Sequence, residues 1–315
     1  MHPAFSVIFF TTLSGAGYGL WIWLGLRLAL GARPVEWQGI GWAVVLLLGL
    51  VLTSVGLLSS LAHLGKPARA WRAFSQWRTS WLSREGVAAV VTILPALALF
   101  WLLWSSGPRI AEPALRTLGV VLVLCSLATV VCTAMIYASL KPIPAWRHRL
   151  VVPGYLLFAL LTGGLLYATT VALAVAATLV SNMLAPLLLA LAIGLLLLKR
   201  RYWRDVDAPL PYSRGDAIGL PQREATVFER PHTQASYITR EMVHVLARKH
   251  SWRLRAIAGL LFAVLPALLM LPPWLLVHAD VAPWYAVAAS CALVGAAVER
   301  WLFFAEARHL VSLYY

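Results

Sequence analysis

The sequence predicts an all-α integral membrane protein, a bundle of eight transmembrane helices with both termini in the cytoplasm. Three observations predict this fold. Hydrophobic residues make up 61% of the 315 residues and charged residues only 12%, against roughly 45–50% and about 25% in soluble domains. Long charge-free runs recur along the chain. Basic residues concentrate in every second loop between these runs, which is typical of multi-pass membrane proteins.

The charge-free runs define the predicted helices, because a crossing needs about 20 apolar residues. Six runs predict one span each, at residues 5–26, 37–62, 86–108, 117–140, 256–279 and 281–298. The run 150–198 is long enough for two spans. Ser181-Asn182, with Pro186 beyond it, predicts the turn between those two spans. No basic segment precedes the first run, so we interpret it as an uncleaved span and not as a signal peptide.

The distribution of basic residues predicts the orientation. Eight spans place the loops 63–85, 141–149 and 199–255 on one side, together with the C-terminal tail. That side carries 22 of the 26 Lys and Arg residues, so it is predicted to be cytoplasmic. The net charge of +14 is explained in this way, and no nucleic-acid partner is predicted. The expected location is the bacterial inner (plasma) membrane.

Three parts make up the predicted organisation. Residues 1–198 hold six spans and an interfacial segment, residues 64–85. Residues 199–255 form a cytoplasmic docking loop that contains an amphipathic helix. Residues 256–315 hold two spans and the C-terminal tail.

The docking loop becomes helical in pattern from residue 233 onward. One face is apolar, and Arg240, Arg248 and Lys249 lie elsewhere on the helix. A basic amphipathic helix lies on a membrane or against a partner. We predict that these three residues dock a partner subunit, with attraction to anionic membrane lipid alone as the alternative.

The interfacial segment has the pattern of a short helix that begins at Pro67. Aromatic residues recur at helical spacing and form a stripe, at Trp71, Phe74, Trp77 and Trp81. Arg69 and Arg72 project from another face, and Arg78 borders the stripe. This pattern predicts a helix lying in the membrane interface. An aromatic belt with snorkelling cations is the alternative interpretation.

His63 and Glu85 bracket this segment, each at a helix end near headgroup depth. Ionisable groups there are costly unless they are paired or functional. Imidazole titrates near neutral pH, and a carboxylate can relay protons to water. We therefore predict that His63 donates a hydrogen bond to a quinone and that Glu85 relays protons. The alternatives are a capping or snorkelled His63, and a Glu85 that is held by the helix dipole or paired with Arg84 or Arg78.

The stretch HLGKPARAWRA followed by WRTSWLSREG resembles the dimethyl sulfoxide reductase anchor-subunit family. The opening HPAFSVIFFTTLSGAGYGL and the later ITREMVHVLARKHSWRLR resemble the same family, so the resemblance covers most of the chain. It implies an anchor for a molybdopterin catalytic subunit and a four-cluster iron–sulfur subunit. It also implies electron exchange with the quinone pool. The functional histidine and glutamate of the family match His63 and Glu85.

The predicted quinone site is completed by Lys66, Trp71, Arg72, Arg78, Arg84 and Tyr137. The arginines are expected to stabilise negative charge on the reduced quinone. The quinone is ubiquinone or menaquinone. The resemblance places molybdopterin and iron–sulfur clusters in the partner subunits only.

The predicted orientation distinguishes this chain from the best-known reductase anchors, whose catalytic partners face the periplasm. Here the quinone-site loop lies on the predicted cytoplasmic side, and so should the partners. This arrangement resembles the sulfite-oxidising branch of the family, in which a cytoplasmic molybdoenzyme oxidises sulfite and reduces quinone. We predict that function, with a menaquinol-oxidising anchor of a dimethyl sulfoxide-type reductase as the alternative.

Other classes of function fit the sequence less well. Haem b usually needs two axial histidines inside the bundle, and none of the eight histidines lies mid-span. The three cysteines form no CxxC pair, so we predict no metal site in this chain. A transporter is disfavoured because the spans lack paired mid-membrane charges, although Pro95 and Pro266 could kink their helices. A passive scaffold would have no use for His63 and Glu85.

Overall fold

Every regular element in the part of the chain that the structure describes is a helix. The computed structural model describes residues 4–31, 38–62, 64–106, 112–174, 179–209, 212–221, 223–226, 228–229, 250–275 and 280–313. Its long helices are α1 (Phe5–Ala29), α2 (Gln38–Leu61), α3 (Trp81–Ser106), α4 (Glu112–Ala138), α5 (Val151–Ala174), α6 (Leu179–Asp207), α7 (Ser251–Leu275) and α8 (Ala282–Ala305). Shorter helical segments lie at Pro67–Gln76, Arg214–Ala217 and Leu310–Leu313.

Seven of these helices are long and apolar enough to cross a membrane, counting only described residues. The sequence predicts eight such spans. The remaining long helix, α6, has 29 residues, and charged residues begin at Lys199 in its last third. The all-helical membrane fold is therefore confirmed, and the described helices supply seven apolar spans.

The predicted turn at Ser181-Asn182 is wrong, because both residues lie inside α6. Pro186 also lies inside that helix. In hydrocarbon an unpaired backbone group is so costly that helices continue through residues that would end them in water, and proline is tolerated. Helix α5 ends at Ala174 and α6 begins at Leu179; residues 175–178 lie outside the described residues.

Helix α1 is the centre of the bundle. In its most apolar stretch 78% of the residues are buried, against 28% in α2 and in α3. It packs against α2, α4 and α5. Two buried tryptophans attach it to its neighbours, since Trp21 Nε1 donates to the Leu46 carbonyl at 3.2 Å and Trp23 Nε1 to the Leu160 carbonyl at 2.8 Å. These bonds satisfy indole N–H groups that have no access to water.

Glycines allow the backbones of α1 and α5 to touch. A Cβ atom added to Gly163 would overlap backbone atoms of Gly19, and one added to Gly19 would overlap the Ala159 carbonyl. Small residues at such crossings let membrane helices approach closely. The glycine-rich composition of α1 is thus a packing feature.

The segment between α2 and α3 contains a 3₁₀ helix at Pro67–Gln76 that begins at the residue the sequence predicts. Two contacts hold it on the start of α3. The Phe74 ring lies so close to Gly86 that a Cβ atom added to this glycine would be in tight contact with the ring. The Arg84 side chain donates to the carbonyl oxygens of Trp77 at 3.0 Å and Arg78 at 2.6 Å.

Candidate functional site

A large groove lies between the 3₁₀ helix and the ends of the surrounding helices. Its volume is about 860 Å³. The walls come from the start of α1, the end of α2, the 3₁₀ helix, the start of α3 and the end of α4, closed by Trp146 and Phe304. Most of the lining is apolar, with the rings of Phe10, Trp71, Phe74 and Tyr137 among it.

Glu85 lines this groove on the second turn of α3. The residue is only 4% exposed. Its Oε1 atom is buried and has no hydrogen-bond partner among the described residues. A buried carboxyl oxygen without a partner is costly, so this atom is suited to a ligand hydroxyl or to a transferable proton.

Three other predicted site residues line the same groove: Lys66, Trp71 and Tyr137. Lys66 precedes the 3₁₀ helix and is exposed, and so is Trp71. The Tyr137 ring packs edge-on against Phe304 at 5.1 Å and Trp146 at 5.5 Å between centroids. This packing fixes the orientation of Tyr137 at the inner end of the groove.

The three predicted arginines do not line the groove. Arg72 and Arg78 are exposed, and each lies over the ring of the tryptophan before it, at 5.7 and 5.5 Å. Arg84 lies over Trp81 at 4.3 Å and is held by the backbone contacts described above. Since successive helical side chains point about 100° apart, the burial of Glu85 turns Arg84 away. The lining arginine is instead Arg69, which the sequence pattern assigned to a different face from the aromatic stripe.

Four predicted functional residues lie outside the described residues. They are His63, Arg240, Arg248 and Lys249. The neighbours of His63 on both sides, residues 61–62 and 64–66, are described, and Leu61, Leu64 and Lys66 all line the groove.

Sequence reasoning missed a buried charge cluster at Lys199, Glu299 and Arg300. Lys199 and Arg300 were counted only as basic residues at the cytoplasmic ends of spans. Glu299 directly follows the charge-free run 281–298. An acidic residue directly after an apolar run is the sequence feature that could have indicated this cluster.

The groove fits a quinone by size and by chemistry. Ligand pockets of roughly 300–1,000 Å³ with apolar walls and few polar groups are typical of small-molecule sites. Here a flat ring can lie between aromatic walls, and Glu85, Lys66 and Tyr137 offer polar atoms for its oxygens. Within the described ranges, no three His, Cys, Asp or Glu side chains come together as a metal site would require.

The family model for the DMSO reductase anchor subunit (DmsC) matches residues 1–305. The chain belongs to this family. It is 35% identical to the C subunit of the sulfite dehydrogenase of Allochromatium vinosum, over all of this chain and 99% of that protein. It is 29% identical to the C chain of the anaerobic dimethyl sulfoxide reductase of Escherichia coli, over 51% of this chain and 55% of that protein.

As a DMSO reductase anchor subunit family member, the chain is a multi-pass membrane protein. Both relatives are bacterial, and the predicted location in the bacterial inner membrane is confirmed. The resemblance found in the sequence is confirmed as well, over nearly the whole chain.

Proposed function

We propose that this chain is the quinone-reactive membrane anchor of a molybdopterin oxidoreductase complex. It passes electrons between an iron–sulfur partner subunit and the quinone pool. The observation that supports this most directly is the groove, in which a buried carboxyl oxygen of Glu85 without a described partner faces aromatic and apolar walls. A passive scaffold has no use for such a group, because its burial only costs stability.

The chain's own residues bind the ring and move protons. When bound, a quinone accepts two electrons and two protons and becomes a quinol. Trp71 and Phe74 hold the ring from the side of the 3₁₀ helix, and Tyr137 limits its depth. In this proposal Glu85 holds a proton at Oε1 and transfers it to a quinone oxygen, and His63 keeps the role that the sequence predicts, a hydrogen bond to one quinone oxygen.

Positively charged side chains near the groove make a second, electrostatic contribution to the reduction of the quinone. Lys66 and Arg69 line the groove, and their positive charge stabilises negative charge on a reduced oxygen. Arg72, Arg78 and Arg84 act at longer range, since they do not line the groove and lie over the rings of Trp71, Trp77 and Trp81. Their contribution is to the local field and to the position of the 3₁₀ helix.

In the membrane, we propose that α6 is the eighth span and that both termini are cytoplasmic. The groove then opens on the cytoplasmic side, where the basic loops lie. The iron–sulfur and molybdopterin subunits dock on that face, and Arg240, Arg248 and Lys249 contribute to the docking surface.

Sulfite oxidation to sulfate is the reaction we propose for the catalytic partner. It is supported by the full-length similarity to the sulfite dehydrogenase protein of A. vinosum and by the cytoplasmic docking face. The second candidate is a dimethyl sulfoxide-type reductase, which the half-length similarity to the E. coli protein supports less strongly.

The test is the rate at which decylubiquinone reoxidises the iron–sulfur clusters of the isolated complex after stoichiometric reduction with dithionite. We expect Glu85→Gln to lower this rate by about 100-fold or more, because general acid–base groups contribute roughly 10²–10⁴. The matched control is Glu112→Gln, the same chemical change in a glutamate that pairs with Arg116 at the start of α4. The control should stay within about twofold of the unmodified complex.

Assembly of the complex is measured alongside the rate, by co-purification of the partner subunits. A fully assembled Glu85→Gln complex with an unchanged rate would favour the passive scaffold. Solute flux through proteoliposomes without any quinone reactivity would favour the transporter.

A further inference from the structure

Three charged side chains lie buried together where α6 and α8 meet. Lys199 is 3% exposed, Glu299 0% and Arg300 4%. Lys199 Nζ contacts Glu299 Oε1, and Arg300 reaches Glu299 Oε2 through Nε at 2.7 Å and Nη2 at 2.6 Å. The cluster has one more positive than negative charge. Burying charges is costly even when they are paired. Joining two helices therefore does not by itself explain this cluster.

On one side the cluster reaches the groove through tyrosine rings. Arg300 Cζ lies 4.1 Å from the centroid of the Tyr155 ring. Tyr155 stacks on Tyr137, with 6.1 Å between ring centroids. Tyr137 lines the groove.

A small cavity with several polar side chains in its wall lies beside these rings. Its volume is about 20 Å³, room for about one water molecule. Thr12, Tyr18 and Arg300 line it, and among the described residues Thr12 Oγ1, Tyr18 Oη and Arg300 Nη1 are buried without a hydrogen-bond partner. Thr12 lies in the π-helical turn Phe10–Ser14, a local form frequent at functional sites.

On the other side the cluster reaches a pocket at the protein surface. Lys199 Nζ lies 3.9 Å from the centroid of the Tyr202 ring, which is 5.5 Å from the His148 ring. His148 Nε2 lies 3.4 Å from Asp205 Oδ2. His148 and Asp205 line a surface pocket of about 270 Å³ that also contains Arg255 and Glu306.

We propose that this series of residues is a proton route from the surface pocket of His148 and Asp205, through the Lys199–Glu299–Arg300 cluster, to the groove. The proposal rests on the quinone function proposed above. Each conversion of one quinone to one quinol takes two electrons, which arrive from the partner subunit, and two protons, which this route supplies from water. Where the route passes the aromatic rings, the distances to ring centroids lie between 3.9 and 6.1 Å, so transfer past them runs through bound water and side-chain rotation.

The residues of the route differ in their roles. Glu299 and Tyr18 exchange protons, the first in the cluster and the second at the cavity. Arg300 keeps its proton and is a positioning residue, which holds the Glu299 carboxylate through Oε2. Glu85 is the final donor to the groove.

The test uses the assembled complex and the decylubiquinone assay described above. Glu299→Gln keeps the size of the side chain and removes its carboxylate. We expect the maximal rate to fall about tenfold or more while the KM for decylubiquinone stays within about twofold. Millimolar azide, a small weak acid that carries protons to buried sites, should restore much of the rate. Glu112→Gln again serves as the control, with neither a loss nor a response to azide.

Tyr18→Phe removes only the hydroxyl at the cavity and gives a second, milder variant in case Glu299→Gln does not assemble. It should show the same loss and the same response to azide. An assembled Tyr18→Phe complex with an unchanged rate, or a loss that azide leaves as it is, would overturn the proton route. Failure of the unmodified complex to react with either decylubiquinone or a soluble menaquinone analogue would instead overturn the quinone function itself.

Discussion

Neighbouring residues at the start of α3 have opposite environments, and the geometry of the helix is the reason. Glu85 is buried against the groove, whereas Arg84 points back to the carbonyl oxygens of Trp77 and Arg78. An ion pair between Arg84 and Glu85 would leave the carboxylate neutralised. The structure avoids that pairing, and the Glu85 carboxyl stays available to a ligand.

Two tryptophans of the interfacial segment provide a matched pair for ligand binding. Trp71 and Trp77 are both exposed and both carry an arginine over the ring, but only Trp71 lines the groove. An aromatic contact is worth about 0.5–1.5 kcal/mol beyond its buried area. We therefore expect Trp71→Ala to raise the KM for decylubiquinone by up to about tenfold, and Trp77→Ala to change it less than twofold. Equal effects of the two substitutions would count against the groove as the binding site.

His148 should make the stability of the protein depend on pH. Burial lowers the pKa of its imidazole below the usual value; Arg149 and Lys199 act in the same direction, while Asp205 opposes them. The folded state then binds fewer protons than the unfolded state. The stabilisation is complete above the ordinary pKa, about 6.5, and is lost as the pH falls through the lower folded-state pKa.

We expect the advantage in Tm of the unmodified protein over His148→Gln, measured in detergent, to be larger at pH 7.5 than at pH 5. A Tm difference that stays constant over this range would show that the His148 pKa is not lowered by folding.

At the scale of elements, the glycine contact between α1 and α5 should be sensitive to a single methyl group. Gly163→Ala places a Cβ against the backbone of Gly19, and overpacking of this kind costs about 1–3 kcal/mol. Gly194→Ala in α6 is the control, because nothing lies within 4 Å of its Cβ. We expect a lower Tm in detergent for the first variant and an unchanged or higher Tm for the second. Equal Tm values would mean that α1 and α5 do not touch there.

Hydropathy predicted most elements, because a helix in hydrocarbon must satisfy its own backbone and therefore runs as long as the apolar sequence allows. The same rule explains the error at Ser181-Asn182, where turn-forming residues lie inside α6. Helix α7 begins at Ser251 and not at 256, because charged side chains such as Arg253 can extend a helix into water. Turn preferences measured in soluble proteins were the weak part of the prediction.

At the scale of the whole molecule, the site could be predicted only in part. Glu85, Lys66, Trp71 and Tyr137 meet in one groove as expected, since the aromatic pattern and the family motif both point to that end of the bundle. The Lys199–Glu299–Arg300 cluster was missed because it joins residues 100 positions apart. Its partners are set by the packing of α6 and of α8 against α5 and α7, which no local pattern encodes.

The membrane topology is the property on which the docking face and the direction of proton uptake depend. Fusions to alkaline phosphatase or to green fluorescent protein test the topology directly. The reporter is attached after residue 110, within 175–178, after residue 215, or at the C-terminus of the full chain. Phosphatase is active only in the periplasm. The fluorescent protein folds in the cytoplasm but does not fold after export to the periplasm by the general secretion route. We expect phosphatase activity at 110 and at 175–178, and fluorescence at 215 and at the C-terminus, since 22 of the 26 Lys and Arg residues would then lie inside.

The pair of fusions that flank α6 decides whether that helix crosses the membrane. Phosphatase activity at 215 together with activity at 175–178 would leave α6 out of the membrane and would place the C-terminus on the opposite side from the groove.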